Sequence, residues 1–365
     1  MKLNCLNLHL KEALTLSEKI AGKNINLPIL DAVLISAQND KVVISATNLE
    51  HALEIQIPAK VKKEGKKAVP ARVLSSLLSG LTEDNIELES QGDNLVVAVK
   101  NISSIIKGYP TDDFPIFPSI QKKYAFSLPS FDLIEGLKSV LHAVSLSDIK
   151  PEISSIFVSS EKNQPLIFAA TGSFRLAERS LPGKDSIFPR LLIPQRGAAE
   201  IIRIFDGKDA NIDFYADKNQ LLLICGNIKF FSRLTEGSFP DYQQVVPSDF
   251  STEILLDKDV FKNALRTAGV FSSRLNEVKI RAYPDDRLLE IETSNAELGE
   301  HTNHLPAEIK GESIESVFNH RYLLDGLQFI DSKKVALKFN GPEKPLLVKG
   351  EKDGYYYLVM PMKNI

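Results

Sequence analysis

Short stretches of two different hydrophobic periods follow one another along the whole chain. Strict alternation of apolar and polar residues, typical of strands with one buried face, occurs at residues 53–57, 289–292 and 335–339. Amphipathic helices with apolar residues three and four apart are predicted over residues 10–20, 131–144 and 260–270. Helices mixed with half-exposed strands predict an α+β fold with antiparallel sheets.

A further helix is predicted after Pro194, with Ala199, Ile202 and Phe205 on one apolar face. The same arrangement of a strand end, an arginine and an apolar helix occurs three times. The arginines are Arg72, Arg196 and Arg321, spaced by 124 and 125 residues. Repeat units of solenoids are only about 20–50 residues long. The period therefore predicts three tandem copies of one domain.

Two more motifs follow the same period. Thr47 is matched by Thr171, and the pair Phe114-Pro115 is matched by Phe239-Pro240. Each third contains two predicted helices and several strands, so the expected domains are residues 1–122, 123–249 and 250–365.

Consecutive, similarly oriented sheets would leave one strand edge open at each end of the chain. Such ends join head to tail in a ring or in a filament, and the period alone does not fix which.

Composition indicates an ordinary globular protein of several domains. The 365 residues are 43% hydrophobic and 25% charged. The net charge of −3 argues against a uniformly basic surface, although it allows one basic face. Two cysteines give no disulfide framework, so a reducing cytoplasm is expected. Cys225 lies in an apolar run and is interpreted as an inert core thiol.

The sequence contains no recognisable catalytic motif. A Gly-rich phosphate loop, a nucleophile elbow and a Cys-x-x-Cys pair are all missing from it. His301 and His304 are close in sequence, but strand geometry would place them on opposite faces, and no third metal ligand is evident. We expect neither a metal nor another cofactor, and no enzymatic activity. An enzyme with a pocket of Thr171, Arg175 and Tyr322 is the less favoured alternative.

Basic residues recur on the predicted helices. Lys258, Lys262 and Arg266 follow i, i+4, i+8 spacing and form one stripe. A solvated helix face explains any single stripe, whereas recurrence favours a surface that faces nucleic-acid phosphates without reading bases. The residues expected to face DNA are Lys11, Lys19, Lys23, Arg72, Arg196, Arg203, Lys258, Lys262 and Arg266.

The last segment, residues 355–362, is strongly apolar for a chain end and holds two of the three methionines. It is interpreted either as a closing strand of the last sheet or as one wall of an adaptable peptide-binding groove. A monomeric scaffold that binds peptides there without DNA is a third hypothesis.

Motifs spread over the full length resemble those of the beta subunit of bacterial DNA polymerase III, the sliding-clamp family. The resemblance rests on residues 27–30, 69–72, 170–171, 175–176, 237–242 and 358–362. It implies a DNA clamp fold in which three similar domains form half of a closed ring. A head-to-tail homodimer would encircle duplex DNA and tether the DNA polymerase III catalytic subunit. The implied role is non-catalytic, with a clamp loader and other replication and repair proteins as further partners.

The resemblance also implies two protein-binding surfaces. The matching groove residues are Ile153, Thr171, Gly172, Phe174, Arg175, Leu176, Pro240, Val245, Asn319, Tyr322, Leu346, Leu358, Val359, Met360, Pro361 and Met362. The residues expected at the dimer interface are Ile102, Ile105, Ile106, Val270 and Phe271.

Overall fold

The computed structural model describes residues 1–22, 26–117, 120, 124–147, 149–182, 188–351 and 354–362, without the side chains of Tyr124, Ala125 and Phe188. The α-helices of these residues are α1 (Asn7–Ile20), α2 (Ala71–Ser79), α3 (Ser130–Leu141), α4 (Gln195–Phe205), α5 (Lys258–Val270) and α6 (His320–Leu327).

The strands of the first third are β1 (Lys2–Leu6), β2 (Ala32–Gln38), β3 (Lys41–Thr47), β4 (His51–Pro58), β5 (Lys60–Lys63), β6 (Gly65–Pro70), β7 (Asn85–Gln91), β8 (Asn94–Val99) and β9 (Ile102–Lys107). Those of the second third are β10 (Tyr124–Pro129), β11 (Ser155–Ser160), β12 (Leu166–Thr171), β13 (Arg175–Leu181), β14 (Phe188–Pro194), β15 (Asn211–Ala216), β16 (Gln220–Cys225) and β17 (Ile228–Arg233). Those of the last third are β18 (Thr252–Asp257), β19 (Glu277–Tyr283), β20 (Leu288–Asn295), β21 (Gly299–Pro306), β22 (Glu308–Gly311), β23 (Ile314–Asn319), β24 (Lys334–Phe339), β25 (Leu346–Gly350) and β26 (Tyr355–Val359).

The α+β prediction is confirmed, and all the strand pairs formed by named strands are antiparallel. Each third contributes two helices, as the period predicts. The predicted apolar face of α4 is right at Phe205 and wrong at Ala199 and Ile202. Phe205 is buried together with Ala198, Ile201 and Ile204, because tertiary packing turns this neighbouring set inward, whereas Ala199 is exposed and Ile202 is partly exposed.

The chain packs as two compact units that do not coincide with the predicted thirds. Unit 1 is residues 1–131 and 203–234, and unit 2 is residues 132–202 and 235–365. The predicted boundaries after residues 122 and 249 stay a prediction.

Unit 1 contains a five-stranded sheet, β5-β1-β7-β8-β9, and an eight-stranded sheet, β10-β15-β16-β17-β4-β3-β2-β6. The larger sheet combines strands of two consecutive sequence repeats where β17 pairs with β4. Helix α1 packs on β3, β4 and α2. Its apolar side, with Leu10, Leu14 and Ile20, is fully buried.

Unit 2 contains a nine-stranded sheet, β14-β11-β12-β13-β26-β25-β24-β18-β22, and a four-stranded sheet, β21-β20-β19-β23. The larger sheet again combines two repeats, where β13 pairs with β26. Helices α5 and α6 pack on each other. Asp257 caps α5 by accepting hydrogen bonds from the main-chain N–H groups of Asp259 and Val260. Among the described residues, no helix is long and apolar enough to cross a membrane.

Candidate functional site

The β12–β13 turn of unit 2 brings together the first group of predicted groove residues. The main-chain N–H of Gly172 and the hydroxyl of Thr171 both donate to the carbonyl of Arg175, at 2.9 and 3.1 Å. A side chain at position 172 would approach the carbonyl of Ala143, because a Cβ there would lie 3.3 Å from it. The turn is therefore held close to the end of α3, and it leaves Phe174 exposed.

The apolar chain end passes beside this turn. Strand β26 pairs with β13, placing Val359 opposite Arg175. The N–H of Met360 then donates to the carbonyl of Phe174 at 2.9 Å, and the N–H of Met362 donates to that of Val317 at 2.7 Å. Residues 355–359 are thus a strand within the nine-stranded sheet, and residues 360–362 continue from it with partly exposed side chains. The interpretation of this segment as one wall of a peptide-binding groove stays a prediction.

Arg175 lies at the centre of a polar cluster beside the turn. Its guanidinium is 2.9 Å from the Asp325 carboxylate and lies over the ring of Tyr322, 4.2 Å from the centroid. Burial raises the pKa of Asp325, and the charge of Arg175 opposes that shift. Asp325 was not predicted. It lies three residues after Tyr322 on α6, so helical spacing is the signal that would have found it.

The remaining groove residues fall into two groups. Leu176, Leu346, Leu358 and Val359 are buried beneath the surface and support it from within. Phe174, Pro240, Val245 and Met360 are exposed, and Ile153, Asn319, Pro361 and Met362 are partly exposed. Asn319 also has a local structural role, because its side chain caps α6 by accepting from the N–H groups of Arg321 and Tyr322.

All the basic residues that were expected to face DNA and that the structure describes lie on helices. Lys11 and Lys19 lie on α1, Arg72 on α2, Arg196 and Arg203 on α4, and Lys258, Lys262 and Arg266 on α5. Lys23 lies outside the described residues. The ammonium of Lys258 donates to the carbonyl of Ile330 at 2.6 Å. This residue therefore also makes a structural hydrogen bond within unit 2.

The predicted interface residues lie at or near two outermost strands. Ile102 and Ile105 are exposed on β9, the last strand of the five-stranded sheet, and Ile105 is 67% exposed. Ile106 is 5% exposed and faces the core of unit 1. In unit 2, Val270 is 64% exposed at the end of α5. Phe271 stacks on His301 of β21, with ring centroids 5.6 Å apart.

The histidine pair is arranged as strand geometry predicts. His301 stacks on Phe271, whereas His304 lies 3.0 Å from the Glu290 carboxylate. Within the described ranges, no group of three or more His, Cys, Asp or Glu residues could hold a metal ion. Cys225 is buried, and burial raises the pKa of its thiol.

Three family models match successive parts of the chain. They are the N-terminal domain of the DNA polymerase III beta subunit at residues 1–118, its central domain at 127–241 and its C-terminal domain at 243–363. Together the matches cover most of the sequence in the expected order.

Known proteins agree with these matches over nearly the full length. The chain is 27% identical to the beta sliding clamp of Staphylococcus aureus over 358 residues and to that of Bacillus subtilis over 364 residues, with 95% of each chain covered in both cases. The crystal structure of the DNA polymerase sliding clamp from Bacillus subtilis is similar with a TM-score of 0.95, 25% identity and complete coverage of both chains. With three successive domain models matched, the chain belongs to the DNA polymerase III beta subunit family, the bacterial sliding clamps.

Proposed function

We propose that two copies of the chain join head to tail into a ring that encircles duplex DNA and tethers the replicative polymerase. The supporting observation is how the sheets end. The two large sheets have eight and nine strands, and each combines two consecutive repeats. The other two have five and four strands and each comes from one repeat. If the five-stranded sheet of one copy joined the four-stranded sheet of another edge to edge, the two would form a nine-stranded sheet like the one within unit 2.

We assign β9 and β21 to that junction; each lies at one end of its sheet in the described chain, with β5 and β23 at the opposite ends. Strand β5 is lysine-rich, and β23 already accepts a hydrogen bond from the N–H of Met362 through the carbonyl of Val317. Open strand edges require a partner or protection. The exposed Ile102 and Ile105 on one side, and Val270 and Leu298 on the other, supply apolar area next to these edges. Because the two surfaces differ, the contact is head to tail, and two copies would close it into a ring.

A closed ring needs few DNA contacts, because it can leave DNA only by opening or by sliding off an end. The basic residues on α1, α2, α4 and α5 would supply weak, sequence-independent contacts with phosphates. Enclosure reconciles these helices with a net charge of −3, since an acidic protein would otherwise bind DNA poorly.

The groove of unit 2 would bind short apolar peptide segments of partners. The proposed partners are the DNA polymerase III catalytic subunit, the clamp loader and other replication and repair proteins. Each large apolar side chain buried there contributes roughly 1.5–3 kcal/mol. After the cost of ordering a peptide, two or three such anchors give modest affinity, which suits partners that exchange. The proposed role is non-catalytic, requires no cofactor and is exercised in the cytoplasm.

Sedimentation velocity of the wild-type chain and the Ile105→Glu variant tests the ring. We expect a wild-type dimer, and at least a tenfold rise in the dimer dissociation constant of the variant, or about 1.4 kcal/mol. The reason is that each seam would bury an unpaired carboxylate. Ile116→Glu is the matched control, because Ile116 is 96% exposed and lies outside β9. A wild-type monomer, or two variants that dimerise equally well, would contradict the proposal.

A further inference from the structure

A buried carboxylate lies directly behind the groove. Glu178 on β13 is 8% exposed. One of its oxygens accepts hydrogen bonds from the hydroxyls of Tyr242 and Tyr356, at 2.5 and 3.0 Å. The other accepts from the Ser180 hydroxyl at 3.2 Å. Burial, followed by the adjacent Glu178 carboxylate, raises the pKa of Tyr242 and of Tyr356, so both hydroxyls stay protonated donors at neutral pH.

These hydrogen bonds join three segments that are distant in sequence. Glu178 belongs to β13, Tyr356 to β26, and Tyr242 opens the single helical turn Tyr242–Val245. Strands β13 and β26 are also held by their own ladder, in which Glu178 is opposite Tyr356. The turn is different, because the main-chain hydrogen bonds at its two ends are local. The N–H of Tyr242 donates to the carbonyl of Pro240, and the N–H of Val246, the residue after the turn, donates to that of Gln243.

The surroundings make the polar contacts costly to break. Tyr242 packs in an apolar cluster with Ala169, Leu176, Leu347 and Leu358. A buried carboxylate that loses a donor there has no solvent to replace it, so the remaining arrangement is destabilised. Both segments attached to Glu178 lead directly to exposed groove residues, namely Val245 in the turn and Met360 after β26.

We propose that Glu178 is a positioning residue of the groove, which holds the turn and the final strand at a fixed separation so that a partner peptide meets a preformed surface. This inference rests on the proposed peptide-binding function. Glu178 itself is buried and acts through Tyr242 and Tyr356. If the groove is competent only while both hydrogen bonds are made, the apparent dissociation constant rises in inverse proportion to the competent fraction.

Peptide binding by matched variants tests the proposal. The probe is a fluorescein-labelled octapeptide whose only large apolar residues are two leucines and a phenylalanine, measured by fluorescence anisotropy. Tyr242→Phe removes the hydrogen bond of the turn, and Glu178→Leu removes those of both tyrosines. Both changes keep apolar bulk, and each should raise the dissociation constant about tenfold. Glu178→Gln should remain within twofold of wild type, because its amide oxygen still accepts from both tyrosines.

The control is Tyr283→Phe, the same change on β19 of the four-stranded sheet, which should not alter affinity. Melting temperatures are recorded for every variant, since a merely structural role would lower them without changing affinity. Unchanged affinity in Tyr242→Phe and Glu178→Leu overturns the inference. A rise of more than twofold in the dissociation constant of Glu178→Gln also overturns it, because the charge of Glu178 rather than its hydrogen bonds would then be responsible.

Amide hydrogen exchange at Val246 separates this inference from the function on which it rests. The N–H of Val246 bonds to the carbonyl of Gln243 and closes the turn. We expect its exchange to be about tenfold faster in Glu178→Leu than in wild type or Tyr283→Phe. If the wild-type chain fails to bind the peptide, the groove function is wrong, and the exchange rate alone then decides whether Glu178 holds the turn.

Discussion

The two segments that contain the matching Phe-Pro motifs are packed differently. After the first repeat, Phe114 is buried in a wholly apolar cluster with Ile29, Ala32 and Ala68, and the N–H of Tyr109 bonds to the carbonyl of Ala68 at 2.9 Å. After the second repeat, Phe239 is only partly buried and stacks on Phe157, with centroids 5.2 Å apart.

In the second segment the buried anchor is Tyr242, tied to Glu178 by its hydroxyl. The same sequence motif therefore serves two purposes. In unit 1 it closes a core, and in unit 2 it supports a surface with exposed apolar residues. The difference predicts that substitutions in the first segment change stability, whereas those around the second change binding.

Removing the end of the chain should have the largest effect on binding. We expect deletion of residues 360–365 to abolish binding of partner peptides, because Met360 and Met362 belong to the proposed groove. Main-chain hydrogen bonds to Phe174 and Val317 hold them in place. Strand β26 ends at Val359, so the sheet and the dimer should persist. Anisotropy and sedimentation measure the two properties, and loss of the dimer would show that this segment is structural.

Phe114→Ala should destabilise the protein by about 3–5 kcal/mol, because it empties a buried aromatic site. Phe239→Ala should cost less, since that ring is only partly buried. Urea unfolding monitored by circular dichroism compares them, and a peptide-binding assay at low denaturant should show no change for Phe114→Ala. Equal costs for the two variants would remove the distinction between the segments.

A titratable group packed in unit 2 gives a pH test of intermediate size. His142 stacks on Phe329 and contacts Tyr357, and burial, followed by the charge of Arg175, lowers the pKa of His142 to about 3. The unfolded chain, with a pKa near 6.5, binds the proton first as pH falls. The contribution of neutral His142 to the free energy of unfolding is therefore complete above about pH 6.5. It decreases as the pH falls below that value, by about 2 kcal/mol at pH 5.

The matched variant is His142→Phe, which keeps an aromatic ring between the same neighbours. Unfolding free energies at pH 7 and pH 5 should differ by about 2 kcal/mol less in the variant than in wild type. An identical pH dependence in both proteins would show that His142 does not resist protonation.

The smallest expected effect concerns DNA. Replacing Lys262 or Arg266 of α5 by alanine should reduce the slope of log binding constant against log salt by about 0.9 for each phosphate that the protein no longer neutralises. Lys344, an exposed residue between β24 and β25, is the control, and its replacement by alanine should leave the slope unchanged. Salt titration of binding to short duplexes measures the slope, and an equal effect at Lys344 would favour a diffuse surface charge.

Much of the fold was predictable because it depends on local patterns. The spacing of Arg72, Arg196 and Arg321 identified the repeats and the second helix of each. Strand alternation likewise indicated the antiparallel sheets. The face of α4 was misassigned, because Ala199 and Ile202 follow the same spacing as the buried Ala198 and Ile201, and the register depends on tertiary packing.

The site was less accessible to sequence reasoning. Arg175 and Tyr322 were identified through the family motifs, but their partner Asp325 and the buried Glu178 were not. A carboxylate in sequence is normally solvent-exposed, and only the fold brings Tyr242 and Tyr356 to Glu178. Likewise, the two large sheets that combine repeats, and the two smaller ones that stop at β9 and β21, follow from pairings distant in sequence.

Retention on DNA tests the central claim most directly. The wild-type protein, placed by a clamp loader on nicked circular DNA, is separated from free protein by gel filtration, and the circle is then cut once with a restriction enzyme. Enclosure predicts that the protein stays on the intact circle at moderate salt and is lost promptly after cutting. Equal retention on the circular and the cut DNA would contradict it.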